Sequence, residues 1–287
     1  MQNRLKAKML NGGKVIGTMS QLGSPIVVEC LGIAGLDFFI IDTEHAAIGP
    51  ENMRSLIMAS EKHPITPLVR IPVITRDAVL KALDCGAGGL IIPAVETAEQ
   101  VADLVRYAKY PKEGVRGFAM TRAASYGYDE IARDPVEYFR HFNEETLIIP
   151  QCETRACLDN IEEIVAVPGV DGIFIGPYDL STALGHPADF ENPEFQSALG
   201  RILTVCRSKG KFVLMLSGSA KQTRKLFEEG YSGVVFSLDI HVLINSYRSV
   251  VDELSEAKTG LGSRSAIEIN SVEPDESPFA KYLAQLG

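Results

Sequence analysis

Eight short apolar runs, set apart by amphipathic or polar stretches, constrain this 287-residue chain more than any other feature. They are KVIGTM (14–19), DFFIID (37–42), TPLVR (66–70), GGLIIP (88–93), TLIIPQCE (146–153), DGIFIG (171–176), KFVLML (211–216) and GVVFSL (233–238). The runs are continuous rather than alternating, which marks strands buried on both faces, as in parallel sheets. Most intervening segments keep helical period. TRDAVLKALDCGA places Val79, Leu80 and Leu83 on one face, and TAEQVADLVRYAKY does the same with Val101, Leu104, Val105 and Ala108.

Eight strand–helix units predict a closed (β/α)8 TIM barrel of parallel strands. An open doubly wound sheet is the competitor, and the glycines do not favour it. GAGGL follows a helix and enters a strand, the reverse of a dinucleotide loop, and no G-x-G-x-x-G occurs. NGGK at 11–14 lacks P-loop spacing. Two segments break the rhythm: a long connection at 111–145, and a polar tail at 255–287 containing Pro274 and Pro278. Residues 1–254 are read as one catalytic barrel and 255–287 as a polar C-terminal extension.

Charge narrows the partners. With 28 Lys and Arg against 37 Asp and Glu, the chain carries a formal charge of −9. That disfavours nucleic acid, whose phosphates need a basic face, and anionic membrane surfaces. No run approaches the roughly 20 apolar residues of a membrane span. The N-terminus, MQNRLKAKMLNGGK, turns polar before a signal-peptide core could form, so a cytoplasmic protein is expected. The five cysteines (30, 85, 152, 157 and 206) are scattered and form no C-x-x-C pair, so most of them read as small buried hydrophobes rather than a zinc or disulfide framework.

In a barrel of this kind, chemistry gathers at the C-terminal ends of the strands. Four runs end in polar groups. The second ends in Asp42, Glu44 and His45, the third in Arg70, and the fifth in Gln151 and Glu153; the sixth leads through FIGPYDLS to Asp179. Alternation puts Gln151 and Glu153 on one face and Cys152 on the other. Each has a plainer reading. Glu153 could stabilise a helix N-terminus, Asp179 could be an N-cap, Arg70 could be a surface charge or a partner for Glu44, and His45 could be a capping or packing histidine. Their joint occurrence on successive strand ends favours a site. Histidines 63, 141, 186 and 241 show no zinc spacing and are read as surface residues. No lysine falls at a convincing strand end, so a Schiff-base route is unsupported.

At these residues the chain resembles the HpcH/HpaI aldolases, the metal-dependent class II pyruvate aldolases, a family that includes 4-hydroxy-2-oxoheptanedioate aldolase, 2-dehydro-3-deoxygalactarate aldolase and macrophomate synthase. The matching stretches are IDTEHA (41–46), PLVRIP (67–72), LDCGAGGLIIPAVETAEQ (83–100), YPKEGVRGF (110–118), TRAASYG (121–127), QCET (151–154) and VDGIFIGPYDLS (170–181). The resemblance spans roughly residues 15 to 255 and implies a (β/α)8 barrel, usually a hexamer with the eighth helix swapped between protomers. It implies reversible cleavage of a 4-hydroxy-2-keto acid to pyruvate and an aldehyde through a metal-held pyruvate enolate. Glu153 and Asp179 would be the protein ligands of Mg²⁺, Mn²⁺ or Co²⁺, and His45 the acid–base group, oriented by Asp42 or Asp84. Arg70 would bind the keto or enolate oxygen, with Gln151 supporting the metal or the pyruvate. The turn at Gly176, Pro177 and Tyr178 would take the pyruvate carboxylate, and Leu216 would border the substrate. Two departures stand out: Leu216 is followed by SGS, and the acidic tail lies beyond the family core. Oxaloacetate decarboxylation, or macrophomate-synthase-like chemistry through the same enolate, is the alternative; a non-catalytic binding or assembly barrel is a remote one.

Overall fold

The structure is a computed structural model and describes residues 2–258. Eight strands alternate with helices: β1 (Val15–Ser20), β2 (Phe38–Asp42), β3 (Thr66–Arg70), β4 (Gly89–Ile92), β5 (Leu147–Cys152), β6 (Gly172–Ile175), β7 (Phe212–Ser217) and β8 (Gly233–Leu238). All pair in parallel in the order β1 to β8, and β8 closes on β1. Each strand lies within about a residue of the run that predicted it, because a continuous apolar stretch of this length is stable only when both its faces are covered.

The helices are α1 (Arg4–Leu10), α2 (Pro25–Ile33), α3 (Pro50–Ser60), α4 (Arg76–Cys85), α5 (Ala98–Ala108), α6 (Pro135–Glu145), α7 (Arg155–Asp159), α8 (Ile161–Ala166), α9 (Pro177–Ala183), α10 (Pro193–Ser208), α11 (Ala220–Glu229) and α12 (Asp239–Lys258). Their starts follow their sequences. Thr75 accepts a bond from the Ala78 N–H, and Thr97 with Gln100 forms a reciprocal capping box on α5. The faces picked out by periodicity are those buried against the sheet: Val79, Ala82 and Leu83 on α4, and Val101, Leu104, Val105 and Ala108 on α5.

Alternation sorts the strand side chains. Phe38, Ile40 and Asp42 of β2 share the barrel interior, while Phe39 and Ile41 face the helices, and all five are buried. The Phe38 ring lies over Gly17 of the paired strand, where a Cβ would come within 2.5 Å of the ring. The N-terminal rim is closed by α1. Its Lys6 pairs with Asp171 at 2.7 Å, Lys8 pairs with Asp37 at 2.6 Å, and the Asn3 amide donates to the Gly88 carbonyl at 2.8 Å.

The long connection carries its own small core. Between α5 and α6, two short 3-10 turns (Arg122–Gly127 and Glu130–Arg133) fold over Tyr110, Ala124, Ala132 and Tyr138. Tyr110 stacks on Phe139 at 4.6 Å, and the Arg116 guanidinium sits 4.6 Å from the centre of the Tyr110 ring.

The final helix is different. α12 carries Val242, Leu243, Ile244, Tyr247, Val250, Val251 and Leu254, all exposed, with Tyr247 at 69 %. Leu243, Tyr247, Val250 and Leu254 recur at three to four residues and form one apolar stripe. The helix continues to Lys258; the rest of the polar tail, from 259 onward, lies outside the described residues.

Candidate active site

The open C-terminal rim of the barrel is where the polar strand ends meet. Asp42 ends β2 and Arg70 ends β3, and the two are direct partners in the sheet register. The guanidinium donates from Nε to Asp42 Oδ1 at 3.0 Å and from Nη2 to Asp42 Oδ2 at 2.8 Å. Gln21, after β1, adds a bond from Nε2 to Oδ2 at 2.8 Å, and the backbone N–H groups of Glu44 and His45 donate to Oδ1 at 3.1 and 3.2 Å. Burial alone would raise the Asp42 carboxyl, but the guanidinium and the added donors outweigh it, so the group is held below the usual carboxylate range. Glu44 Oε2 reaches Arg70 Nε at 3.3 Å from the more open side. These contacts fix the fork, and Arg70 itself lines the cavity.

Glu153 follows β5 and is buried. Its Oε1 accepts the Ala94 N–H at 2.6 Å, and its Oε2 accepts from Gln151 Nε2. Ala94 reaches that position with φ of 50°, left-handed backbone in a residue that is not glycine. Such strain costs of order 1 kcal/mol and marks places where the surroundings impose a geometry. Burial pushes the Glu153 carboxyl up, and the charges of Asp179 and Glu44 push the same way, against the bonds from Ala94 and Gln151. Gln151 Oε1 is buried with no hydrogen-bond partner. Asp179 stands at the exposed edge, in the first turn of α9, whose N-cap is Gly176. It is therefore not the N-cap its sequence context allowed. A Cβ at Gly176 would meet Glu153 Oε2 at 2.7 Å and Gln151 Nε2 at 2.9 Å, so any larger residue there would displace that pair.

A cavity of about 210 Å³ opens between these groups, bordered on one side by Arg70, Gln151, Asp179 and the turn Gly176, Pro177 and Tyr178. Leu216 of β7, Leu238 of β8 and Met19 of β1 border the other side. His45 lies at the mouth, its side chain 64 % exposed and its Nε2 3.7 Å from Glu44 Oε2. Among the described residues no group of three or more His, Cys, Asp or Glu side chains is arranged to hold a metal; the candidate centre is the Glu153–Asp179 pair with the Gln151 oxygen. A larger cavity, about 450 Å³, lies at the opposite rim beside Lys6, Lys109 and Asp171. Lys6 is paired there with Asp171, and Lys109 donates to the Asn143 and Thr146 carbonyls, so that space is not where the strand ends converge.

Two residues stand elsewhere than their sequence context indicated. Asp84 is in the last turn of α4, which carries the chain back to the N-terminal rim before β4 begins. It pairs there with Arg116 at 2.9 Å, on the far side of the barrel from His45. Neither aspartate bonds the His45 ring within one chain: Asp42 holds that residue by its backbone, and Glu44 is the carboxylate beside the imidazole. His241, read from the sequence as a surface histidine, is partly buried and lines the cavity.

The family model described as HpcH/HpaI aldolase/citrate lyase matches residues 16–246. The chain is 33% identical over 252 residues to the hydroxypyruvate/pyruvate aldolase of Agrobacterium fabrum, covering 87% of this chain and 92% of that one. It is also 33% identical over 256 residues to the 5-keto-4-deoxy-D-glucarate aldolase of Klebsiella pneumoniae, covering 89% and 96%. A crystal structure of a family member from Burkholderia cenocepacia superposes with a TM-score of 0.82 at 33% identity, covering 88% of this chain and all of that one. No described helix is long and apolar enough to cross a membrane. A closed parallel barrel, a polar cluster on its C-terminal rim and aldolase relatives matched over most of their length agree: the chain is a carbon–carbon lyase of the aldolase kind and belongs to the HpcH/HpaI aldolase/citrate lyase family.

Proposed function

We propose that this aldolase reversibly cleaves a 4-hydroxy-2-keto acid to pyruvate and an aldehyde, with Glu153 and Asp179 holding a divalent metal and Arg70 and His45 serving the reacting atoms. The observation that carries the reading is the convergence of Arg70, Gln151, Asp179 and the Gly176 turn on one small cavity, with buried Glu153 directly behind it.

The donor set suits a hard cation. Two carboxylates and an amide oxygen are all oxygen donors, with no imidazole or thiolate among them. Glu153 is buried close to Asp179 and Glu44, and a positive ion would relieve that repulsion. The buried Gln151 oxygen lacks a partner, and Gly176 leaves space where a Cβ would crowd both Glu153 and Gln151. Mg²⁺ or Mn²⁺ fits best, with Co²⁺ a further candidate. When bound there, the ion supplies Lewis-acid stabilisation of negative charge on the ketone oxygen.

The chain's own residues do the rest. Arg70 already spends Nε and one Nη2 bond on Asp42, which leaves Nη1 to donate to the oxygen that becomes negative as the C3–C4 bond breaks. The turn Gly176, Pro177 and Tyr178 orients the pyruvate carboxylate against the opening of α9. His45 takes the proton of the C4 hydroxyl as the aldehyde carbonyl forms, and returns it in the direction of addition. Glu44 Oε2 stands 3.7 Å from the ring Nε2. The apolar stripe of α12 needs a cover, and we assign it to a second copy of the chain in a homo-oligomer, the hexamer that the resemblance implies.

The reading is tested by incubating the protein with pyruvate and a panel of aldehydes, with Mg²⁺, Mn²⁺ or Co²⁺ and after chelation, identifying products by mass spectrometry. Metal-dependent 4-hydroxy-2-keto acids support it. Release of pyruvate from oxaloacetate without any aldol product would instead favour decarboxylation.

A further inference from the structure

The proposed reaction uses Gln21 only through its nitrogen. Gln21 follows β1, is half-buried and lines the cavity. Its Nε2 donates to Asp42 Oδ2 at 2.8 Å. A carboxylate can only accept, so this bond fixes the amide: the nitrogen faces Asp42 and Oε1 points away from it. Among the described residues nothing donates to Oε1, and that oxygen is not enclosed by protein.

The amide is held from both ends. Asp239 is buried and accepts from the Gln21 N–H at 2.9 Å, from Ser20 Oγ at 2.9 Å and from the Leu22 N–H at 3.3 Å, which pins the backbone. Asp42, buried and bonded to the Arg70 fork, pins the side chain. A hydroxyl that meets Oε1 therefore has little of the protein to order.

Gln21 and His45 hang on one carboxylate: Asp42 Oδ2 takes the Gln21 amide and Oδ1 takes the His45 N–H. They stand on the β1–β2 arc of the closed sheet, across from Glu153 and Asp179 on the β5–β6 arc. In the proposed reaction the keto acid's carboxylate lies at the Gly176 turn and its keto oxygen at Arg70. C3 then points away from the turn. The aldehyde carbon meets it on the β1–β2 side, where His45 serves the aldehyde oxygen and Gln21 lies beside the next carbon. Met19, Leu216 and Leu238, which border the same side, are apolar.

We propose that Gln21 is a specificity-determining residue whose Oε1 accepts a hydrogen bond from a hydroxyl next to the aldehyde carbonyl. This rests on the aldolase reading above. An unpartnered amide oxygen selects a group that can donate, which neither a methyl nor a carboxylate can do. The hydroxyl is recognised whether or not the aldehyde carries an acid further along its chain.

The test compares kcat/KM for glycolaldehyde and acetaldehyde, which differ by that one hydroxyl, at saturating pyruvate with metal occupancy checked. Any loss that Gln21→Met causes through Asp42 and Arg70 is shared by both aldehydes and cancels in their ratio. In this variant, close in size but without the oxygen, the glycolaldehyde-to-acetaldehyde ratio falls about threefold to tenfold, the range for one lost neutral hydrogen bond. An unchanged or raised ratio overturns the proposal. So does a larger loss with glyoxylate than with glycolaldehyde, which assigns the amide to a carboxylate through its second N–H. The wild-type protein gives an independent reading should the variant not fold. Fluoroacetaldehyde is close to glycolaldehyde in size and electron withdrawal but cannot donate. Glycolaldehyde is preferred by about threefold or more, as free aldehyde, and equal kcat/KM values overturn the proposal. If the wild-type protein makes no adduct from any aldehyde, the aldolase reading itself fails, a result visible before any substitution is introduced.

Discussion

Arg70 grips Asp42 with two parallel bonds, of 3.0 and 2.8 Å, between residues that are direct partners across β2 and β3. The carboxylate belongs to the cavity's structure more than to its chemistry. It neutralises the guanidinium enough to bury it and fixes the direction of the remaining N–H groups. A lysine at 70 keeps the charge and loses the fork. Arg70→Lys is therefore expected to lose about 10²-fold or more in kcat, the effect of removing one preorganised oxyanion donor. Near-wild-type turnover, measured at saturating pyruvate, would make Arg70 structural only.

Burial and its acidic neighbours make the charged form of Glu153 costly. Its carboxyl is raised by burial and by the neighbouring carboxylates, so protonation begins above the ordinary glutamate value of about 4.3. The sign follows. A raised folded value means stability that is fully present in acid and lost as pH rises through that value. A metal held by Glu153, as proposed, would compete with the same proton, so metal affinity is expected to fall on acidification before an ordinary glutamate would titrate. Glu153→Gln should be more stable than wild type at neutral pH when both are metal-free. Gln151 can turn its unpartnered oxygen toward the new amide, so the Ala94 bond survives. Thermal unfolding with and without Mn²⁺ checks both halves: the variant gains stability in chelator and gains nothing from metal. A variant still stabilised by Mn²⁺ would remove Glu153 from the ligand set.

The barrel was legible because its strands are apolar without interruption, and because helix faces and caps such as Val79 to Leu83 and Thr97 with Gln100 follow from spacing alone. The rim residues Asp42, Arg70, Gln151 and Glu153 were legible for a related reason: a polar group ending a buried run has only the rim to occupy. His241 was not legible. Its side chain enters the cavity because Asp239 is bonded to residues 20–22, more than two hundred positions away, and no local pattern encodes that contact. Asp84 is not brought to His45 within one chain. It sits in a stretch that resembles the family, yet the direction of α4 takes it to the other rim. The small aromatic core of the 111–145 connection was hidden too, because Tyr110, Tyr138 and Phe139 become neighbours only once α6 folds back.

An exposed stripe of Leu243, Tyr247, Val250 and Leu254 on one helix is more apolar surface than an isolated copy would keep in water. Tyr247→Glu with Val250→Glu places two charges in the stripe and is expected to shift the protein from oligomer to smaller species by sedimentation velocity. The barrel's circular dichroism should be retained. A wild-type monomer at micromolar concentration would contradict the assignment of this face to a second copy.

The roles proposed for His45 and for the Glu153–Asp179 pair can be separated by choice of reaction. Cleaving the aldol needs a proton taken from the C4 hydroxyl, whereas oxaloacetate reaches the same enolate by losing carbon dioxide. His45→Ala is therefore expected to lose aldol cleavage by about 10²- to 10⁴-fold, the usual contribution of a general acid–base group. Its oxaloacetate decarboxylation should fall much less on the same preparation. Equal losses, with metal and pyruvate still bound, would mean that His45 has another role.

The central claim is that Glu153 and Asp179 hold a metal that lets this barrel form the enolate of pyruvate, and exchange of the pyruvate methyl protons tests it without any aldehyde. Pyruvate is incubated with the protein in D₂O and the methyl signal is followed by proton NMR. With Mg²⁺ or Mn²⁺ the methyl protons should be replaced by deuterium at a rate proportional to enzyme, and the exchange should fall to the solvent background after chelation and in Asp179→Ala. Exchange that persists undiminished after exhaustive chelation, or aldol product formed with no exchange under any metal, would contradict it.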